Sequence, residues 1–172
     1  MDSDLADALA LLTTGIYVLT VADAAGQRHG MSASWVTQVS GDPPLLMAAV
    51  DQRHATHGLI ERTGAFALNV VGERGRELED YFYSAAAQRP DNLDDIAHTL
   101  SEKGLPLLAA ATATFECRVV AQYAAGDHSL FVAHIERVTL RRDDAPLTSL
   151  DLDYVYVGKV IKRPSPRRPT RR

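Results

Sequence analysis

Polar and apolar residues change period several times along this chain. Leu5, Ala8, Leu9 and Leu12 recur at helical spacing behind Asp2 and Ser3, which predicts a short helix before Gly15 whose apolar stripe covers the rest of the fold. Ile16 to Val21 is rich in β-branched and aromatic residues, and Ala24-Ala25-Gly26-Gln27 turns the chain into a second extended segment, His29 to Ser40. Gly41-Asp42-Pro43-Pro44 cannot continue a central strand, because two prolines remove ladder donors, so the chain reverses and resumes as Leu45 to Val50. Thr56 is positioned to cap a short helix carrying Leu59 and Ile60.

Phe66 to Val71 reads as another buried strand, and Leu78, Tyr81 and Phe82 mark one face of a helix between Glu73 and Ser84. Ala85 to Gly104 is mixed and polar, and Pro90, Asp91 and Asn92 suggest a loop. Phe115, Cys117, Val119 and Ala121 alternate on one face, Gly126-Asp127 makes a turn, and Leu130 to Leu140 returns as the partner strand. Tyr154 to Val157 supplies a last strand. Many strands at short intervals with a few covering helices predict a mainly β fold, an antiparallel barrel rather than a parallel α/β sheet.

Length and charge refine this picture. A chain of 172 residues fits one domain, expected here over residues 1–158, followed by a short appendage over 159–172. The net charge of −4 conceals an asymmetry: residues 159–172 hold seven basic residues and no acidic one, against 11 basic and 22 acidic before them. A basic, proline-broken end is a known footprint for acidic partners, but no aromatic residue is interleaved for base stacking, so a solvated tail is expected and nucleic-acid binding is not. No apolar run is long enough to span a bilayer, and the acidic start MDSDLADALA lacks the basic opening of a signal peptide, which predicts a cytoplasmic protein with no membrane partner. Cys117 stands alone, without a partner for a disulfide or a companion at metal-ligand spacing, and no metal site is expected. Asn69 and Cys117 lie within apolar strands and read as a satisfied core amide and an inert thiol.

The densest chemistry lies between His29 and Ile60. Ser32, Ser34 and Thr37 fall close together on an extended segment, beside Trp35 with its broad ring and one polar handle. Those features suit a planar ligand with polar edges. Arg53 and Thr56 follow the next apolar segment, near a helix start, where charge-assisted and hydroxyl hydrogen bonds hold a phosphate. Together they suggest a flavin mononucleotide (FMN) site. No GxGxxG or GxxxxGK run points to a separate dinucleotide or P-loop domain.

The same run resembles the flavin reductase-like family, whose fold is the FMN-binding split barrel. TGIYVLT at Thr14 to Thr20, HGMSASW at His29 to Trp35, SGDPPLL, FALNV at Phe66 to Val70, LEDYF at Leu78 to Phe82, ECRVV at Glu116 to Val120 and GDHSLFVAHI at Gly126 to Ile135 follow the family's order over most of the chain. The SASWVTQ variant is most similar to flavoredoxin-type members and to the flavin domains of flavodiiron proteins.

The resemblance implies that NADH or NADPH passes a hydride to flavin. It places Ser34 and Thr37 at the isoalloxazine edge by their side chains and Ala33, Trp35 and Val36 by their backbones, with Ser32 beginning the segment. Arg53, His54 and Thr56 fall at the phosphate, His54 standing where family members often have Ser, and His128 falls beside the nicotinamide or the flavin ring as the catalytic candidate, ahead of His29. A homodimer and a monooxygenase or other electron acceptor are implied as partners. Two alternatives are a flavoredoxin-like FMN carrier fed by a protein donor and a haem-binding sensor barrel, the latter disfavoured because no His or Cys stands out as an axial ligand.

Overall fold

The computed structural model describes residues 2–83, 93–141 and 143–162. Asp2 opens helix α1 (Ser3–Leu9) by accepting a hydrogen bond from the Asp4 amide at 3.1 Å. The buried face of this turn of chain is Ala6 and Ala10, packed with Leu9 on Val155, Val157 and Ile161. Of the predicted stripe Leu9 packs inward, whereas Leu5, Ala8 and Leu12 are exposed. The surface beneath α1 comes from the far end of the chain and takes small residues, which leucine spacing cannot reveal.

Strand β1 (Tyr17–Ala22) pairs antiparallel with β2 (Arg28–Ala33) across a turn in which Asp23 accepts from the Ala25 and Gln27 amides, both at 3.0 Å. The segment expected to run unbroken to Ser40 instead stops at Ala33 and restarts as β3 (Val36–Gly41), which turns into β4 (Pro44–Asp51). Helix α2 (Ala55–Thr63) follows, capped by His54 rather than by Thr56, and ends at Gly64, whose φ of 65° supplies the left-handed closing residue. Then come β5 (Ala65–Val71), a 3-10 turn at Glu73–Gly75 and α3 (Arg76–Tyr83). A short strand within the expected loop, β6 (His98–Leu100), pairs with another just beyond it, β7 (Pro106–Leu108). Residues 85–92 of that expected loop, and the end of the helix at Ser84, lie outside the described residues.

A long hairpin, β8 (Ala111–Ala125) with β9 (His128–Leu140), carries two register shifts, and the second, between Val119 and Ala121, ends the alternation that packs Phe115, Cys117 and Val119 on the core. β10 (Tyr154–Tyr156) pairs with β11 (Val160–Lys162), so paired structure continues past the boundary expected at residue 158. Residues 163–172 of the basic tail lie outside the described residues.

The main sheet has seven strands in the order β2-β1-β5-β8-β9-β4-β3, with every pair antiparallel. Its two edge strands, β2 and β3, are separated by two residues of chain, Ser34 and Trp35. A flat seven-stranded sheet would hold its edges about 28 Å apart. The sheet therefore rolls into an antiparallel barrel, and no ladder joins β2 to β3 among the described residues, so the barrel stays split at that seam. Inside lie Leu19, Val21, Val50, Phe66 and Phe131, covered by Leu59 and Ile60 of α2. A second cluster packs Leu78 and Phe82 of α3 on Val18, Val71 and Leu147. β1 is thus buried on both faces, which explains its continuous apolar run. No described helix is long and apolar enough to cross a membrane.

Asn69 occupies the core fully satisfied. Its amide donates to the Val18 carbonyl at 3.1 Å and to the Thr20 hydroxyl at 3.0 Å, while its carbonyl accepts from the Leu108 amide at 2.9 Å. These bonds tie β5 to β1 and β7. Asn69→Ala leaves two buried backbone groups short of a partner and is expected to destabilise the fold by about 2–3 kcal/mol in urea unfolding; a change below about 0.5 kcal/mol would remove Asn69 from this role.

Candidate functional site

The seam between β2 and β3 opens onto a cavity of about 570 Å³, within the range of small-molecule sites. Its entrance geometry follows from the two-residue step. Ser34 and Trp35 leave the ladder, and the Trp35 carbonyl is caught by the Ala49 amide at 2.9 Å, so the indole is held at the seam rather than within a strand. Trp35 lies 4.8 Å from the His128 ring and 5.5 Å from Tyr156, which makes an aromatic wall. Opposite, Phe82 reaches in from α3. That approach depends on Gly30, where a Cβ would sit 2.5 Å from the Phe82 ring.

His128 begins β9 directly opposite Asp51, the last residue of β4. Its Nδ1 bonds to Asp127 at 2.6 Å, which holds the Asp127 carboxyl below the usual range. The imidazole is buried, and its Nε2 makes no hydrogen bond to a described residue. This tautomer leaves Nε2 as an acceptor toward the cavity, or as a donor when the ring is protonated.

Asp51 holds Arg53 through two side-chain bonds, from Nε at 3.1 Å and Nη2 at 2.8 Å, and also accepts the Arg53 amide at 2.8 Å. The Arg53 guanidinium side-on to Asp51 keeps that carboxyl well below the ordinary carboxylate range. The Arg53 side chain remains 82% exposed at the cavity mouth. Two of its five donors face Asp51, which leaves three for a ligand phosphate.

His54 lines the cavity and caps α2, its Nδ1 accepting from the Thr56 amide at 3.2 Å. That bond places the proton of a neutral imidazole on Nε2. Thr56 is fully buried, with its hydroxyl 3.2 Å from His29 Nδ1, and does not line the cavity. Ser32, Ala33, Ser34, Trp35, Arg53, His54 and His128 do line it, whereas Val36 packs on the barrel interior and the exposed Thr37 hydroxyl turns to the Gln38 carbonyl. Cys117 is buried away from the cavity, and burial pushes its thiol up to about 12.

Sequence reasoning missed Glu79, Tyr154 and Tyr156. Glu79 is adjacent to the apolar stripe of α3, and a carboxylate on the buried side of an amphipathic helix was the available signal. The two tyrosines reach the cavity from β10, a distance along the chain that no local pattern spans.

The comparisons with known proteins agree with this architecture. Residues 9–158 match the flavin reductase like domain. The chain belongs to the flavin reductase-like family. It is 33% identical over 154 residues, 90% of this chain and 88% of the relative, to the NADH-dependent flavin reductase StyB of Pseudomonas fluorescens. It is 34% identical over 124 residues, 72% of this chain and 69% of the relative, to the NADH:riboflavin 5'-phosphate oxidoreductase of Streptomyces pristinaespiralis. Among solved structures, the styrene monooxygenase flavin reductase of Pseudomonas putida superimposes with a TM-score of 0.74 and 29% identity, over 95% of this chain and 99% of that one.

The Asp51–Arg53 pair has a pH signature. A carboxyl depressed in the folded state adds stability above its unfolded pKa of about 3.9, and that stability is lost as pH falls through the lower folded value. Arg53→Ala is expected to raise the Asp51 midpoint part of the way toward about 3.9 in an NMR titration, because the residue-53 amide still donates to the carboxylate; an Asp51 midpoint unchanged from the wild type would assign the depression to another cause.

Proposed function

We infer that the protein is an NAD(P)H-dependent flavin reductase that binds FMN in the seam cavity. The observation that carries this reading is the juxtaposition at one opening of an aromatic wall, Trp35 with His128 and Tyr156, and an exposed guanidinium, Arg53, held in place by Asp51. A planar ring system fits the wall, and a phosphate fits the mouth.

Bound flavin supplies the hydride-accepting ring, so the protein requires no nucleophile of its own. Trp35 and Tyr156 bound the ring plane, Ser34 and the backbone around it meet polar edges, and Arg53 with the Nε2 proton of His54 takes the phosphate. His128, oriented by Asp127, offers Nε2 as an acceptor to the carboxamide N–H of the nicotinamide donor, or as a donor to a flavin ring carbonyl when the imidazole is protonated. The relatives' names support NADH as that donor and FMN as acceptor, and the styrene monooxygenase flavin reductase supports a monooxygenase as the consumer of reduced flavin. The exposed leucines 5, 11 and 12, at 52, 81 and 63% exposure, support a homodimer, since exposed apolar side chains in series mark contact surfaces. A cytoplasmic location accords with an enzyme fed by the NAD(P)H pool.

Anaerobic mixing of protein, FMN and NADH is expected to bleach the flavin bands in a single turnover, and His128→Ala is expected to slow that bleaching about 10- to 100-fold with little change in FMN affinity. Negligible oxidation of NADH or NADPH by FMN-loaded protein would contradict the reductase reading. Arg53→Ala is expected to weaken FMN by about 10- to 100-fold and riboflavin hardly at all, measured by equilibrium titration; an equal loss for both ligands would take the phosphate away from Arg53.

A further inference from the structure

The cavity contains a charge that flavin and nicotinamide binding, as described, leaves unused. Glu79, on the inner side of α3, lines the cavity and is only 3% exposed. The Ser32 hydroxyl donates to one carboxylate oxygen at 2.7 Å and the Tyr154 hydroxyl donates to the other. One hydroxyl at each oxygen is the donor set that suits a carboxylate. Burial, reinforced by the bond to Glu79, holds the Tyr154 hydroxyl protonated far above the ordinary phenol range, which keeps it a donor. No Lys, Arg or His among the described residues bonds to Glu79.

The other charged or titratable groups facing the cavity do not neutralise it. Arg53 is matched by Asp51, His128 bonds to Asp127, and His54 caps α2 through an accepting nitrogen. Glu79 therefore leaves a net negative charge in a largely apolar cavity, where charges act over longer distances than in water. Reduction by hydride delivers one proton and two electrons together, so a neutral flavin ring gains one negative charge while the nicotinamide that loses the hydride becomes a cation.

We propose that Glu79 makes the cavity discriminate between redox states of its flavin, binding oxidised FMN more tightly than reduced FMN and so favouring release of the reduced product. This rests on the flavin reading of the cavity given above. It identifies the protein as a source of diffusible reduced flavin rather than a carrier that retains it. The two hydroxyl partners fix the carboxylate in place, and Glu79 acts through its charge rather than through contact with the transferred hydride.

The test is the midpoint potential of protein-bound FMN, measured spectroscopically against a reference dye in the wild-type protein and in Glu79→Gln. The wild type is expected to hold FMN at a potential below that of free FMN. Glu79→Gln is expected to narrow the ratio of reduced to oxidised dissociation constants about tenfold, a rise of about 30 mV for two electrons. Thermal unfolding checks that the variant is folded, and Glu79→Met, similar in length and without charge, is expected to move the potential in the same direction. FMN that binds both proteins with the same potential overturns the role of Glu79 and leaves the flavin reading standing. A wild type that binds FMN in neither redox state removes the flavin reading and the inference together.

Discussion

Seven strands whose outermost members are joined by only two residues cannot lie flat. β2 and β3 sit at opposite ends of the hydrogen-bonded order, and Ser34 and Trp35 alone connect them. That covalent constraint bends the sheet round on itself, and the two connecting residues, which belong to neither ladder, become the rim of an opening. The Ala49 amide then anchors the Trp35 carbonyl, so the indole is fixed where a ligand would meet it. The other cavity groups are placed by the same closure: Asp51 and His128 are register partners at the ends of β4 and β9, and α3 packs over β2 through the space left by Gly30.

The electrostatics of the cavity follow a pattern of paired charges with one exception. Asp51 fixes Arg53 and Asp127 fixes His128, each a short-range pair that orients a side chain while removing little of its capacity to meet a ligand. Orienting pairs of this kind matter more for geometry than for stability, because exposed ion pairs contribute little. Glu79 differs in having only hydroxyl partners among the described residues, and a buried carboxylate without a cation is costly to a fold. Its presence in the cavity is most economically explained by an effect on what binds there.

Much of the architecture was legible in the chain because burial leaves a periodic signature. β1 reads as a strand from its β-branched run, and β5 and the β8–β9 hairpin from apolar alternation interrupted at Gly126. The Gly41 to Pro44 reversal followed from missing amide donors. What escaped was long-range. The break at Ser34 is imposed by closure of the whole sheet, and no local propensity marks it. The cap of α2 passed from Thr56 to His54 because Thr56 is drawn into the core against His29, where its hydroxyl cannot serve the helix end. Leu5 and Leu12 mislead because the face beneath α1 comes from residues 155–161. At the candidate site, local chemistry singled out Ser32, Ser34, Trp35 and Arg53, and the family likeness added Ala33 and His54, whereas Glu79, Tyr154 and Tyr156 join the cavity lining only through folding.

Trp35 is the one tryptophan of the chain and stands at the seam, which makes its emission a reporter on the cavity. The most direct measurement is a titration of its fluorescence with FMN, alongside ultrafiltration to count bound flavin. Quenching that saturates in step with binding, at one flavin per chain, is the result predicted for a ligand stacked in the seam. Flavin bound in the filtration assay with Trp35 emission unchanged would place the ligand elsewhere and contradict the account.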